Sequence, residues 1–132
     1  MTQIFLNLAV KDLNKSIEFF TKLGYTFNQQ FTSENATCMI VSDTIYVMLL
    51  VENFFQSFTT KKIANTKTDV EVFIALSAES KEKVNELVDK AVLAGASIPK
   101  EPQDHGFMFT RTFEDPDGHL WEIFWMDPNH IQ

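Results

Sequence analysis

The order strand, helix, then three more strands is written twice along this chain, and that repetition constrains its fold more than any other feature. Ile4 to Val10 is an apolar strand broken only by Asn7. Asp12 then suits the N-cap of a helix carrying Leu13, Ile17 and Phe20 at helical spacing, which Gly24 ends. Tyr25 to Phe31 predicts a second strand, and Ala36 to Val41 with Thr44 to Val51 predicts a hairpin across Ser42-Asp43. After a less periodic stretch, Val70 to Ala78 predicts a strand and Ser80 caps a helix marked by Val84, Leu87, Val88 and Ala91 and ended by Gly95. Ser97 and Ile98 begin another strand, Pro99, Pro102, Asp104 and Gly106 punctuate a loop, and Phe107 to Phe113 with His119 to Met126 form a closing hairpin. The two first strands align as Phe-Leu-Asn-Leu-Ala-Val (5–10) and Phe-Ile-Ala-Leu-Ser-Ala (73–78). The expectation is an α+β fold of two βαβββ modules in a single domain over 1–132, the first about 1–60 and the second about 69–126.

Side chains alternate between the faces of a strand. Leu6, Leu8 and Val10 would then meet the helix, leaving Phe5, Asn7 and Ala9 on the other face, with Tyr46, Met48 and Leu50 sharing one face of the hairpin strand. Phe73, Ala75 and Ser77 are the counterparts in the second module. A helix covers only one face of each sheet, so the other must curve around something, and a concave, mostly apolar pocket suits a small molecule. Tyr46 and Asn7 could bond a ligand or satisfy each other across the sheet. Phe54, Phe55 and Phe58 suggest a short helical piece or lid, read as core or dimer contact before ligand clamp, and Thr59 to Asp69 reads as a polar connection.

The closing stretch, Phe113 to Met126, holds the residue that most needs explanation. In Asp115-Pro116-Asp117-Gly118, Pro116 pre-sets the first turn position and Gly118 can take a positive φ. Beyond the turn, Trp121, Ile123 and Trp125 share one face, and Leu120, Glu122, Phe124 and Met126 the other, both apolar enough to be buried. A buried carboxylate costs several kcal/mol unless paired, metal-bound or protonated. Glu122 is therefore either a pocket acid or base or a structural partner. A type I turn with Gly118 in a bulge puts Thr112 opposite it; without the bulge Arg111 takes that place and a salt bridge follows. Pro116 and Gly118 favour the bulge.

The remaining titratable groups are read more blandly. His105, in a loop before the closing hairpin, reads first as an exposed loop histidine and, if the protein is catalytic, as an acid to partner Glu122. His119 is expected to be a solvated edge residue, His130 to lie in a mobile tail, and Cys38 to be an inert buried thiol. A single cysteine fits a reducing cytoplasm. A net charge of −7 without a Lys/Arg cluster argues against nucleic acid and anionic membranes, and no apolar run approaches the roughly 20 residues that span a bilayer.

Val-Lys-Asp-Leu-Asn-Lys-Ser-Ile-Glu-Phe-Phe-Thr-Lys-Leu-Gly (10–24) resembles the first βα unit of the glyoxalase I, bleomycin-resistance and extradiol-dioxygenase (vicinal oxygen chelate) superfamily. Asp-Pro-Asp-Gly followed by x-x-x-Glu resembles its last hairpin, so the resemblance covers essentially the whole chain. It implies modules that form a cup-shaped curved sheet, usually completed within a homodimer, around a divalent metal held by the first and last strands of each module. The matching positions here are Phe5, Met48, Phe73 and Glu122, and a one-residue slip would bring Asn7 or Glu71 but no histidine. Phenylalanine has no lone pair to give, and a thioether is a poor ligand for hard cations. No metal ligand set and no cofactor is expected.

The leading expectation is a cytoplasmic small-molecule-binding protein or metal-independent enzyme, working as a homodimer on a partly hydrophobic ligand. Its pocket would be lined by Phe5, Asn7, Tyr46, Met48, Phe73, Thr112 and Glu122; if it is catalytic, Glu122 would be the general base and His105 the acid. The alternatives are a divalent-metal enzyme of the lactoylglutathione lyase or extradiol dioxygenase type, and a non-catalytic dimerisation or regulatory module.

Overall fold

The computed structural model describes residues 1–130, which form two compact units divided after Ala64. In the first unit β1 (Ile4–Val10) leads into α1 (Leu13–Lys22), then β2 (Thr26–Asn28), β3 (Ala36–Ile40), β4 (Ile45–Val51) and the short helix α2 (Glu52–Gln56). The second contains β5 (Phe73–Ser77), α3 (Lys81–Leu93), β6 (Gln103–Asp104), β7 (Met108–Glu114) and β8 (Leu120–Met126). Each has a four-stranded mixed sheet, in the orders β1-β4-β3-β2 and β5-β8-β7-β6, in which the helix crosses from one edge strand to the other and the first and last strands pair in parallel. The doubled strand–helix–three-strand order is thus one topology built twice.

Local chemistry sets the boundaries. Asp12 caps α1 by accepting from the Lys15 amide, and Ser80 caps α3 by accepting from the Lys83 amide. Leu13, Phe19 and Phe20 of α1 are buried, as are Leu8 and Val10 of β1 and Val47 and Leu49 of β4. In the second unit Val84, Val88 and Ala91 of α3 are fully buried, as are Phe113, Trp121 and Ile123 of β7 and β8. Each large apolar side chain so buried contributes about 1.5–3 kcal/mol. Cys38 is buried in β3, and burial pushes its thiol upward, as suits an inert core residue.

Three expected strands come out shorter. The stretch 25–31 keeps only β2, because Asn28 accepts from the Gln30 amide and turns Gln29–Phe31 into a 3-10 helix. Ser97 makes one bridge to Glu114, and the ladder resumes only at β6; Pro99 and Pro102 between them have no N–H to donate. Residues 70–72 precede β5 rather than extending it, since the chain before them turns sharply, the Thr68 and Asp69 amides both bonding the Asn65 carbonyl.

Candidate functional site

The faces away from α1 and α3 carry the expected pocket residues. In the first unit Phe5, Asn7 and Ala9 lie beside Tyr46, Met48 and Leu50 in parallel register. The Phe5 and Tyr46 rings stack at 4.8 Å and 12°. Tyr46 and Asn7 do not satisfy each other: the Tyr46 hydroxyl donates to the Asp43 carbonyl at 3.0 Å, and the Asn7 amide donates to the Phe5 carbonyl at 3.1 Å.

A cavity of about 470 Å³ opens on this unit, lined by Asn7, Leu50, Phe55, Phe58 and Thr59. Its wall is the turn after α2, where the Gln56 side-chain amide donates to the Thr59 and Lys61 carbonyls at 3.0 and 2.8 Å. Phe54, Phe55 and Phe58 were expected as core or dimer contacts. None is buried, so the core half of that expectation fails; Phe55 and Phe58 line the cavity, and Phe54 meets Phe58 edge to face at 5.1 Å. Sequence reasoning missed this wall because the stretch has no clean period, although three aromatics within five residues were a usable signal.

In the second unit Ala75 and Thr112 flank Glu122 on the neighbouring strands. Gly118 takes φ +88°, Asp115 and His119 close the bulged turn through the Asp115 amide, and Thr112 rather than Arg111 faces Glu122. Arg111 points to the helix side, bonding Asn85 and Asp89 of α3 at 3.1 and 2.8 Å. The burial expected on both faces of β8 holds for one. Trp121 and Ile123 are buried and Trp125 on their face is half-buried, while on the other face Leu120, Glu122 and Phe124 are half-buried and Met126 is exposed. Glu122 therefore keeps access to water, and its carboxylate needs no obligatory partner.

Beside it the Thr112 hydroxyl is buried and has no hydrogen-bond partner among the described residues. An unmet buried hydroxyl costs about 1–3 kcal/mol. Thr112→Val keeps the shape and removes the hydroxyl, so it is expected to raise folding stability by about 1 kcal/mol in urea titration. A loss of stability instead would mean that the hydroxyl is bonded, through an ordered water for example.

Phe73, 56% exposed, pairs with Leu120 two residues along the strands from that cluster. His105 lies elsewhere: its amide bonds Met108, four residues along β7 from Thr112, or roughly 14 Å at the rise of a strand. Within this unit Glu122 and His105 do not form an acid–base pair. His130, expected in a mobile tail, stacks on Phe107 at 4.2 Å and donates its amide to Asp127.

His119, expected at a solvated edge, is 2% exposed, with Nδ1 3.1 Å from a Glu71 carboxylate oxygen. Asp115 and Asp117 of the same turn are also buried. Asp115 accepts from the Asp117 and His119 amides at 2.9 and 3.0 Å and from the Trp121 indole at 2.9 Å. Burial pushes its carboxyl above the ordinary range, opposed by nearby His119 and by the Trp121 donor. This cluster organises the hairpin that carries Glu122.

The four positions where metal ligands are expected by resemblance are now fixed in pairs: Phe5 corresponds to Phe73, and Met48 beside Asn7 corresponds to Glu122 beside Ala75. Only Glu122 offers a hard oxygen, so the donor set does not fit a divalent cation. Among the described residues no group of three or more His, Cys, Asp or Glu side chains is arranged to hold one.

The sequence profile of the glyoxalase/bleomycin resistance protein/dioxygenase superfamily matches residues 3–123. No curated protein matches the sequence. Among solved structures, a hypothetical protein from S. aureus is 26% identical, covers 95% of this chain and 94% of its own, and superposes with a TM-score of 0.80. A glyoxalase/bleomycin resistance protein/dioxygenase family enzyme from Burkholderia phytofirmans is 15% identical over 96% and 99% of the two chains, with a TM-score of 0.79. A glyoxalase-related enzyme from Fulvimarina pelagi is 18% identical over 95% and 88%, with a TM-score of 0.80. The last two are likenesses of fold.

Proposed function

The chain belongs to the glyoxalase/bleomycin resistance protein/dioxygenase superfamily, and from that premise we propose that it binds a partly hydrophobic small molecule without a metal, as a homodimer in the cytoplasm. The observation that carries this reading is the donor set Phe5, Met48, Phe73 and Glu122, which keeps one carboxylate where the resemblance implies a ligand set. Apolar side chains at the other three positions favour an uncharged part of a ligand over a cation. The exposed Phe5 and Phe73 rings support a second copy or a ligand as their cover. Where the bound molecule is also a substrate, the half-open Glu122 carboxylate is the group that accepts its proton. The separation of His105 from Glu122 within one unit leaves the acid role of His105 without geometric support.

Native mass spectrometry with elemental analysis of the protein as purified from cells tests this. A dimer that retains an organic molecule and no stoichiometric metal is expected. Stoichiometric Ni, Zn, Fe or Mn, lost on Glu122→Gln, would replace the reading with a metal enzyme of the lyase or dioxygenase type. A dimer whose open faces bind nothing would favour the dimerisation or regulatory-module alternative.

A further inference from the structure

We propose that the cavity of the first unit is a subsite for a flat, neutral aromatic group carrying one hydrogen-bond donor, held between Phe58 and the Asn7 carboxamide. The inference rests on the metal-independent small-molecule reading and names the chemistry that reading leaves open.

The cavity, about 470 Å³, is of small-molecule size. None of its lining residues, Asn7, Leu50, Phe55, Phe58 and Thr59, is charged. An ionised group buried there would lose its hydration without a counter-charge, so the occupant is neutral. Phe58 is 68% exposed, an unusual position for a large apolar ring that lines a cavity, and Phe54 braces it from the side. Its free ring surface is offered for stacking, which favours a planar aromatic over an aliphatic group.

Asn7 decides the polarity. The Phe5 carbonyl can only accept, so the Asn7 nitrogen must be the atom facing it, 3.1 Å away. The Asn7 carbonyl oxygen is then turned the other way and asks its ligand for an N–H or O–H. Gln56 is the positioning residue: its two donated bonds hold the turn bearing Phe58 and Thr59.

The test is a titration of the isotope-labelled full chain with indole, N-methylindole and cyclohexanecarboxamide, followed by backbone amide shifts. Indole should saturably shift the amides of Asn7, Leu50, Phe55 and Thr59. It should bind about fivefold more tightly than N-methylindole, which lacks the donor, and about 3- to 10-fold more tightly than the non-planar cyclohexanecarboxamide. Asn7→Leu should abolish the first preference, and Phe58→Leu, which keeps an apolar side chain but no ring, the second. Both substitutions are at exposed positions, so the fold survives them. Equal binding of all three probes, shifts centred elsewhere, or no response overturns the proposal. A stoichiometric metal found with the indole preferences intact would remove the metal-free reading alone. No indole response from a metal-free chain would remove the aromatic subsite alone.

Discussion

Asp115→Ala is expected to destabilise the protein by on the order of 3–5 kcal/mol, a large share of the roughly 5–15 kcal/mol that holds a domain of this size folded. The loss arises from what remains after the carboxylate has gone. The Asp117 and His119 amides and the Trp121 indole all donate to it, and all three residues are buried. Alanine leaves those donors without an acceptor, each a desolvation cost of about 1–3 kcal/mol, offset where water can enter. Asp115→Asn should cost less, because one oxygen still accepts from the two amides while the new NH₂ faces the indole donor. Urea unfolding followed by tryptophan fluorescence measures both. A cost below about 1 kcal/mol for alanine would mean that the cluster is not what holds the turn. The effect reaches function through register: the turn sets Thr112 opposite Glu122, and a slip of one residue would send Glu122 to the α3 side.

Gly118→Ala is expected to be as damaging, for a different reason. Gly118 sits at φ +88°, and a Cβ there would lie 2.5 Å from the Thr66 carbonyl oxygen and 3.0 Å from its carbon. The obstacle is backbone, which cannot swing aside like the end of a flexible side chain. Residues 65–69 would have to lift from the turn, losing the bonds that Thr66 makes to the Asp117 carbonyl and Lys67 to the Pro116 carbonyl. Strain and overlap together come to about 3–5 kcal/mol. Gly106 supplies the control: its φ is +83°, but an added Cβ meets nothing within 4 Å. Gly106→Ala should therefore cost only the backbone strain, about 1 kcal/mol. Comparable urea midpoints for the two variants would show that Thr66 does not press on the turn.

Much of this architecture was legible because its signals are local. Asp12, Ser80 and Leu13, Phe20, Val84 and Val88 announce their helices through capping and spacing alone. The register of the closing hairpin was only half legible: Pro116 and Gly118 favoured the bulged turn, and the strand pairing decided for Thr112 over Arg111. The candidate site was read less evenly. The open-face residues of β1, β4, β5 and β8 follow from alternation, whereas Phe55 and Phe58 do not, because α2 and its following turn are aperiodic and are held by Gln56 reaching to Thr59 and Lys61. His119 was misjudged for the same kind of reason. His119 reads as solvated until residues 65–72, far away in sequence, are laid against it and Glu71 reaches its ring.

The sequence by itself determined the doubled βαβββ order, the faces of the strands, and the chemical identity of the four positions where the resemblance implies metal ligands. Those properties depend on residue type and short-range spacing, which the chain states directly. Only the tertiary structure decided that Glu122 stays half-open while Asp115 and His119 are buried, and that the Thr112 hydroxyl is left without a partner among the described residues. It alone made Phe55, Phe58 and Asn7 walls of one cavity. Burial and partnership belong to segments that meet across long stretches of chain, and no local pattern encodes which surface will cover which.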